Sequence, residues 1–333
     1  MAQSENSGLR LLSFDGGGIR GLSSLVILRA IMYRIQAAKK LKALPRPCEY
    51  FHLIGGTSTG GLIALMLGRL RMTVDEAISA YNKLAQDVFK NTKRLDQDGT
   101  FKASRLEAAI KKIVQDYTTT KNMNEPMEDP GQEDAICRTF VCARSARNLR
   151  ANTPVLFRTY KNDEESVASC AIWEAARATS AAPTLFKRIE IDTGASSEPY
   201  IDGGVGCNNP TDIVLAEAKV LIGTGQMKPA SIPRPWIFQN IIPTHVARAM
   251  VALTTDCETT NQAMLKRYAG TRGVYFRFNV EQGMQDIKLA EWERLSDVTA
   301  HTTQYLKEET VKQQLAEVMN VLKEELHTNM NIC

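Results

Sequence analysis

Gly56-Thr57-Ser58-Thr59-Gly60 lies between an apolar run, Phe51–Ile54, and a second apolar run with helical character, Leu62–Leu67. The pattern G-x-S-x-G in this context predicts a sharp strand-to-helix turn, because the strained backbone around the serine leaves no room for Cβ atoms two residues away on either side. Such a turn exposes the serine hydroxyl beside the N–H groups of a helix start. The stretch therefore predicts a buried strand, a turn that presents Ser58, and a helix.

A glycine-rich loop precedes this turn. The short apolar run Leu11–Phe14 leads into Asp15-Gly16-Gly17-Gly18-Ile19-Arg20-Gly21, and such a loop between a strand and a helix directs several backbone N–H groups into one small volume. The loop also matches the G-x-G-x-x-G motif of dinucleotide-binding sites. That motif is followed about 20 residues later by an acidic residue, but here this position lies in the basic end of a predicted helix. We interpret Gly16, Gly17 and Gly18 as oxyanion donors, and a nucleotide-dependent oxidoreductase as a minor alternative.

A third segment, Tyr200-Ile201-Asp202-Gly203-Gly204, carries an acid from a strand end into a glycine turn. A serine hydroxyl is a poor nucleophile unless a base lies within hydrogen-bond reach, and Asp202 is the candidate. A carboxylate with an ordinary pKa near 3.9 is a weak base at neutral pH, so such a serine-aspartate pair depends on positioning and on the oxyanion donors.

The four histidines are the natural alternative bases. His52 precedes Ser58 on the same predicted strand and cannot fold back to its hydroxyl. The remaining three follow a proline-rich segment or lie near polar C-terminal helices: His245, His301 and His327. We predict that all four are structural or solvated.

Composition narrows the class of protein. The 333 residues are 44% hydrophobic and carry a net charge of +4 without a long run of one sign, which gives no support for nucleic-acid binding. The N-terminus lacks a secretory signal, and no apolar run reaches the length of a membrane span. Seven scattered cysteines without a C-x-x-C pair argue against a disulfide framework or a zinc site. We expect a soluble, cytoplasmic protein that meets membranes at their surface.

Strand-like and helix-like segments alternate along the chain, which predicts an α/β fold with three layers, helix-sheet-helix, and a mostly parallel central sheet. Apolar spacing in Leu22–Lys39 is typical of an amphipathic helix. A C-terminal amphipathic helix is expected around Leu315–Leu326, and residues 122–134 are expected to form an exposed loop. Further helices are predicted over Asp75–Phe89, Ala103–Val114, Cys170–Ala178 and Asp212–Val220, and strands over Thr139–Cys142 and Pro154–Tyr160.

The glycine loop, the serine turn and the Asp202-Gly203-Gly204 turn occur in the order found in patatin-like phospholipases, and Arg177–Pro183 and Asn208–Pro210 also resemble segments of that family. The resemblance implies that Ser58 is the nucleophile and Asp202 the base of an acyl hydrolase, phospholipase A or acylglycerol lipase in type, that forms an acyl-enzyme during lipid degradation. It implies calcium independence, no cofactor, and phospholipid or acylglycerol substrate at a membrane or lipid-droplet surface. The residues expected to support the site are Arg20, Gly56, Gly60, Gly203 and Gly204. The alternative is a catalytically silent regulatory or interaction module.

The resemblance also sets expected boundaries: a disordered N-terminus over 1–9, a catalytic core over 10–225, and a C-terminal helical part of the same domain over 226–333. One departure occurs at Leu221–Gly225, where the family's turn follows a predicted helix almost directly. A helix that must turn and then cross a sheet needs several extended residues. We hypothesise that a core strand is missing before Gly223 through a deletion, a splice variant or a faulty gene model.

Overall fold

A sheet of six strands runs through the part of the chain that the structure, a computed structural model, describes. That part comprises residues 8–90, 99–129, 137–149, 153–162, 169–192, 194, 196–221 and 257–323. The strands are β1 (Leu11–Phe14), β2 (Leu53–Thr57), β3 (Arg138–Ser145), β4 (Val155–Arg158), β5 (Ile189–Asp192) and β6 (Ser197–Asp202).

The sheet is parallel where it supports Ser58 and antiparallel beyond. β1 pairs with β2 and β2 with β3 in parallel, so the ends of β1 and β2 lie at one edge. β4 and β6 both pair with β3 in antiparallel fashion, and β5 pairs likewise with β6. The connections 146–154, between β3 and β4, and 193–196, between β5 and β6, are too short for the crossover that parallel strands require. Each of these two pairs is therefore an antiparallel hairpin. The predicted α/β class is confirmed; β1, β2 and β3 form the parallel part of the sheet, and β4, β5 and β6 extend it with antiparallel pairs.

Helices cover both faces of the sheet. On one face, Leu53 of β2 and Phe140 of β3 pack with Ile213 and Val214. On the other face, Ile54 and Val141 belong to the main core, because successive strand residues point to opposite sides. The helices are α1 (Leu22–Lys39), α2 (Thr59–Ala64), α3 (Val74–Phe89), α4 (Ala103–Tyr117), α5 (Ile172–Thr179), α6 (Thr211–Leu221), α7 (Glu258–Arg267), α8 (Leu295–Tyr305) and α9 (Glu309–Leu322).

The longest helix, α1, has the predicted bounds. Its buried residues, among them Leu25, Leu28, Met32 and Ile35, recur at helical spacing. The helix ends where Lys40 adopts a left-handed conformation, with φ of 53°. It begins directly after the glycine loop, so its packing fixes the position of that loop.

The helix α6 extends through Leu221, so the described residues before Gly223 are helical. Residues 222–225, where the missing strand was hypothesised, lie outside the described residues, and the hypothesis stays a prediction. The same applies to residues 130–134 of the expected loop, to His245 and His327, and to Leu326. No helix among the described residues is long and apolar enough to cross a membrane.

Candidate active site

Ser58 occupies a strained turn between β2 and α2. Its φ of 57° and ψ of −129° are unusual for a residue with a side chain. A Cβ on Gly56 would lie 2.2 Å from the carbonyl oxygen of Gly60, and a Cβ on Gly60 would lie 2.4 Å from that of Asp15. The two glycines of the motif are therefore required by the close approach of strand, helix and glycine loop.

A buried threonine holds this turn. The Ser58 N–H donates a hydrogen bond to Thr179 Oγ1 at 2.9 Å, and the Thr179 hydroxyl donates to the carbonyl oxygen of Cys142 at 2.6 Å. Thr179 ends α5 and is fully buried. The sequence reasoning did not assign Thr179 to the site, and its only signal was its place within Arg177–Pro183.

The structure brings Asp202 to Ser58. Ser58 Oγ donates to Asp202 Oδ2 at 2.7 Å, and the Gly204 N–H donates to Asp202 Oδ1 at 2.6 Å. Asp202 is only 3% exposed. Burial raises the pKa of Asp202 to about 7, against the lowering effect of these two hydrogen bonds. Gly203 packs so closely that its Cβ would lie 2.3 Å from the Cys142 carbonyl oxygen.

The glycine loop lies beside Ser58, since a Cβ on Gly16 would be 3.0 Å from that of Ser58. The three glycine N–H groups predicted as oxyanion donors differ in their hydrogen-bond partners. The Gly16 N–H donates to the carbonyl oxygen of Asn208 at 3.1 Å, and the Gly17 N–H donates to Thr59 Oγ1 at 3.2 Å. The Gly18 N–H has no hydrogen-bond partner in the described part of the chain. The Gly18 N–H is thus the one of the three without another acceptor among the described residues, and the Gly16 N–H stabilises the loop itself.

Several side chains support this loop. The Tyr81 hydroxyl donates to the Gly18 carbonyl oxygen, and Arg20 Nε lies 3.4 Å from that of Gly17. Arg277 donates to Asp15 Oδ2 at 2.8 Å, and the Ile19 N–H donates to the Leu289 carbonyl oxygen at 2.9 Å. The sequence reasoning missed Tyr81 and Arg277, because each is distant in sequence and has no motif around it.

Ser58, Asp202 and the three loop glycines line a cavity of about 1170 Å³. Beyond this polar end the lining is largely apolar and includes Leu28, Phe51, Leu84, Phe89, Phe186 and Met284. A cavity of this size and character fits a long hydrocarbon chain beside a reactive polar group.

The described histidines make other contacts. His52 Nδ1 accepts a hydrogen bond from the Arg10 N–H at 3.0 Å, and burial lowers its pKa. The His301 ring packs against Gly283, where a Cβ would lie 2.2 Å from His301 Nδ1. The described residues also contain no cluster of three or more histidine, cysteine or acidic side chains placed to hold a metal ion.

Comparison with known proteins identifies the family. The family model for "Patatin-like phospholipase" matches residues 12–215, and the chain belongs to that family. It is 32% identical to calcium-independent phospholipase A2-gamma of Rattus norvegicus over 64% of this chain and 26% of the relative. The Homo sapiens protein of that name is 28% identical over 98% of this chain and 41% of the relative.

A plant relative, patatin-like protein 2 of Arabidopsis thaliana, is 30% identical over 65% of this chain and 54% of its own length. The matches therefore span between about a quarter and a half of the length of these curated relatives.

Proposed function

We propose that this chain is a serine lipid acyl hydrolase that cleaves acyl esters of phospholipids or acylglycerols. The observation that carries the proposal is the 2.7 Å hydrogen bond from Ser58 Oγ to Asp202 Oδ2, on a strained turn at the polar end of a large apolar cavity. The family and the names of its relatives support the substrate class.

The proposed first half-reaction forms an acyl-enzyme. Asp202 accepts the proton of Ser58 while Oγ attacks the ester carbonyl carbon. The N–H groups of Gly18 and Gly17 stabilise the oxyanion, the latter after the Thr59 hydroxyl gives up its hydrogen bond. The tetrahedral intermediate then collapses, the alkoxide leaving group takes the proton from Asp202, and the acyl group stays on Ser58.

The second half-reaction uses the same residues. Asp202 accepts a proton from water, the resulting hydroxide attacks the acyl carbonyl, and Ser58 Oγ leaves with that proton. A fatty acid and the free serine result. The proposed mechanism uses no metal ion, and calcium independence is proposed from the names of the relatives. Gly56, Gly60, Gly203 and Gly204 maintain the close approaches, and Arg20 braces the glycine loop.

The decisive experiment is labelling with a fluorophosphonate probe, which reacts with an activated serine. We expect wild type to be labelled and Ser58→Ala to be unlabelled. Ser24→Ala is the matched control, because Ser24 also lines the cavity but has no carboxylate partner among the described residues; its labelling should equal that of wild type. Lipid profiling with the same variants then identifies the ester that is cleaved.

Absence of labelling in folded wild type would contradict the hydrolase and favour the silent regulatory or interaction module.

We also propose that residues 10–225 form the catalytic core and that the following part belongs to the same domain, because α8 and α9 pack on α1.

A further inference from the structure

The C-terminal end of α7 and the turn after it form a protruding tip, residues 265–274, at the rim of the cavity. Tyr268 and Tyr275 stack with ring centroids 6.2 Å apart, and the Thr271 N–H donates to the Tyr268 carbonyl oxygen at 2.9 Å. These contacts fold the segment back on itself. Met264, Tyr268 and Val274 line the cavity, so the tip is continuous with the cavity mouth.

The tip exposes two large aliphatic side chains. Leu265 is 48% exposed and Val274 is 54% exposed. Leu289, which is 37% exposed, packs over Gly18 and also lines the cavity. Single exposed apolar residues need no explanation, but Val274 and Leu289 both line the cavity and Leu265 lies on the same tip. Together they indicate an interaction surface.

The charge on the tip has one sign. The ten residues 265–274 contain three cations and no acidic residue: Lys266, Arg267 and Arg272. All three are exposed, and none forms an ion pair with another described residue. Cations that flank exposed aliphatic groups fit a bilayer surface with anionic headgroups, because the side chains enter the interface while the charges meet phosphates.

We propose that residues 265–274, together with Leu289, dock the protein on bilayers that contain anionic phospholipid. Leu265 and Val274 enter the interface, and Lys266, Arg267 and Arg272 bind the lipid phosphates. This orientation places the cavity mouth against the lipid surface. The inference rests on the proposed function for its biological purpose, but the binding itself requires no chemistry at Ser58.

The test is co-sedimentation of the full chain, carrying Ser58→Ala, with vesicles of phosphatidylcholine alone or with phosphatidylserine added. We expect binding to the mixed vesicles and much weaker binding to phosphatidylcholine. Lys266→Glu/Arg272→Glu should reduce binding by at least about tenfold, since each cation near an anionic surface contributes about fivefold. Leu265→Ser should reduce it by about fivefold.

The matched controls lie at the far end of α1, which is about 27 Å long and starts at the glycine loop. Lys40→Glu/Lys42→Glu changes the net charge equally, and Leu41→Ser removes a leucine that is 37% exposed. Both should bind as the parent does. Equal losses in the Lys40/Lys42 and Lys266/Arg272 pairs would overturn the proposal in favour of a bulk charge effect.

Failure of the parent protein to sediment with the mixed vesicles would overturn it and assign the tip to a protein partner. Fluorophosphonate labelling without vesicles separates this inference from the proposed function, because the tip variants should label as wild type does. Normal vesicle binding by a wild-type protein that does not label would refute only the hydrolase.

Discussion

At the scale of single residues, the proposed mechanism depends on the protonation of Asp202, because only its ionised carboxylate can accept the proton of Ser58. The Asp202 carboxyl group is buried, and burial raises its pKa to about 7, well above that of an exposed aspartate. A raised pKa makes the carboxylate a better proton acceptor than an exposed aspartate, which removes much of the mismatch between a carboxylate base and a serine hydroxyl. The same burial leaves a substantial fraction of Asp202 protonated at neutral pH.

The expected consequence is an acidic limb in the pH profile. The ionised fraction of Asp202 rises as pH rises through about 7, so the rate of acylation should increase through that range and fall about tenfold for each pH unit below it. The measurement is the initial rate of fluorophosphonate labelling or of hydrolysis of a water-soluble ester at constant ionic strength. Asp202→Asn should be inactive at every pH. A wild-type rate that stays constant between pH 5 and pH 8 (about two units below and about one unit above the expected midpoint) would contradict this role.

At the scale of secondary-structure elements, the sequence predicts those features whose determinants lie within one short segment. The bounds of α1 follow from apolar spacing within one segment, and the serine turn follows from its own glycines. β5 was not predicted, because its alternation of apolar and polar residues covers only four positions, the shortest run over which such a pattern indicates a strand. The contacts of Thr179 and Arg277 depend on which elements meet in space, and no local pattern in one chain encodes that.

The end of α5 is one such meeting point, because the Thr179 hydroxyl links β3 to the backbone of Ser58. Thr179→Val keeps the shape but takes the acceptor from the Ser58 N–H and the hydroxyl donor from the Cys142 carbonyl oxygen. Loss of a hydrogen bond at a largely buried group costs about 1–3 kcal/mol. We expect labelling to slow by about 10- to 100-fold, because the turn is no longer held in place. Thr179→Ser should retain most of the rate.

A general loss of stability is excluded by comparison with Thr118→Val. Thr118 is also buried at a helix end, where its hydroxyl donates to the Val114 carbonyl oxygen at 2.8 Å. That variant should melt at a lower temperature than wild type and still label at the wild-type rate. Equal labelling by Thr179→Val and wild type would show that Thr179 serves stability alone.

At the scale of the whole molecule, the site extends beyond the region that the family model matches. That region ends at residue 215, yet Arg277 donates to Asp15 and the Leu289 carbonyl accepts from Ile19. The side chain of Arg277 is 16% exposed and also lies 3.6 Å from Glu258. The glycine loop is therefore held between the sheet and the C-terminal part, and its geometry depends on both.

Arg277→Gln tests this dependence. The substitution leaves the half-buried Asp15 carboxylate without this cation, so we expect a loss of about 1–2 kcal/mol in the free energy of unfolding, less than for a fully buried pair. Labelling should also slow, because Asp15 directly precedes the glycines that we propose as oxyanion donors. Urea denaturation and labelling rates measure the two effects. The matched control is Arg272→Gln, which removes an exposed arginine with no ion-pair partner among the described residues and should change neither. If Arg277→Gln matches Arg272→Gln in both measurements, the glycine loop keeps its geometry without Arg277.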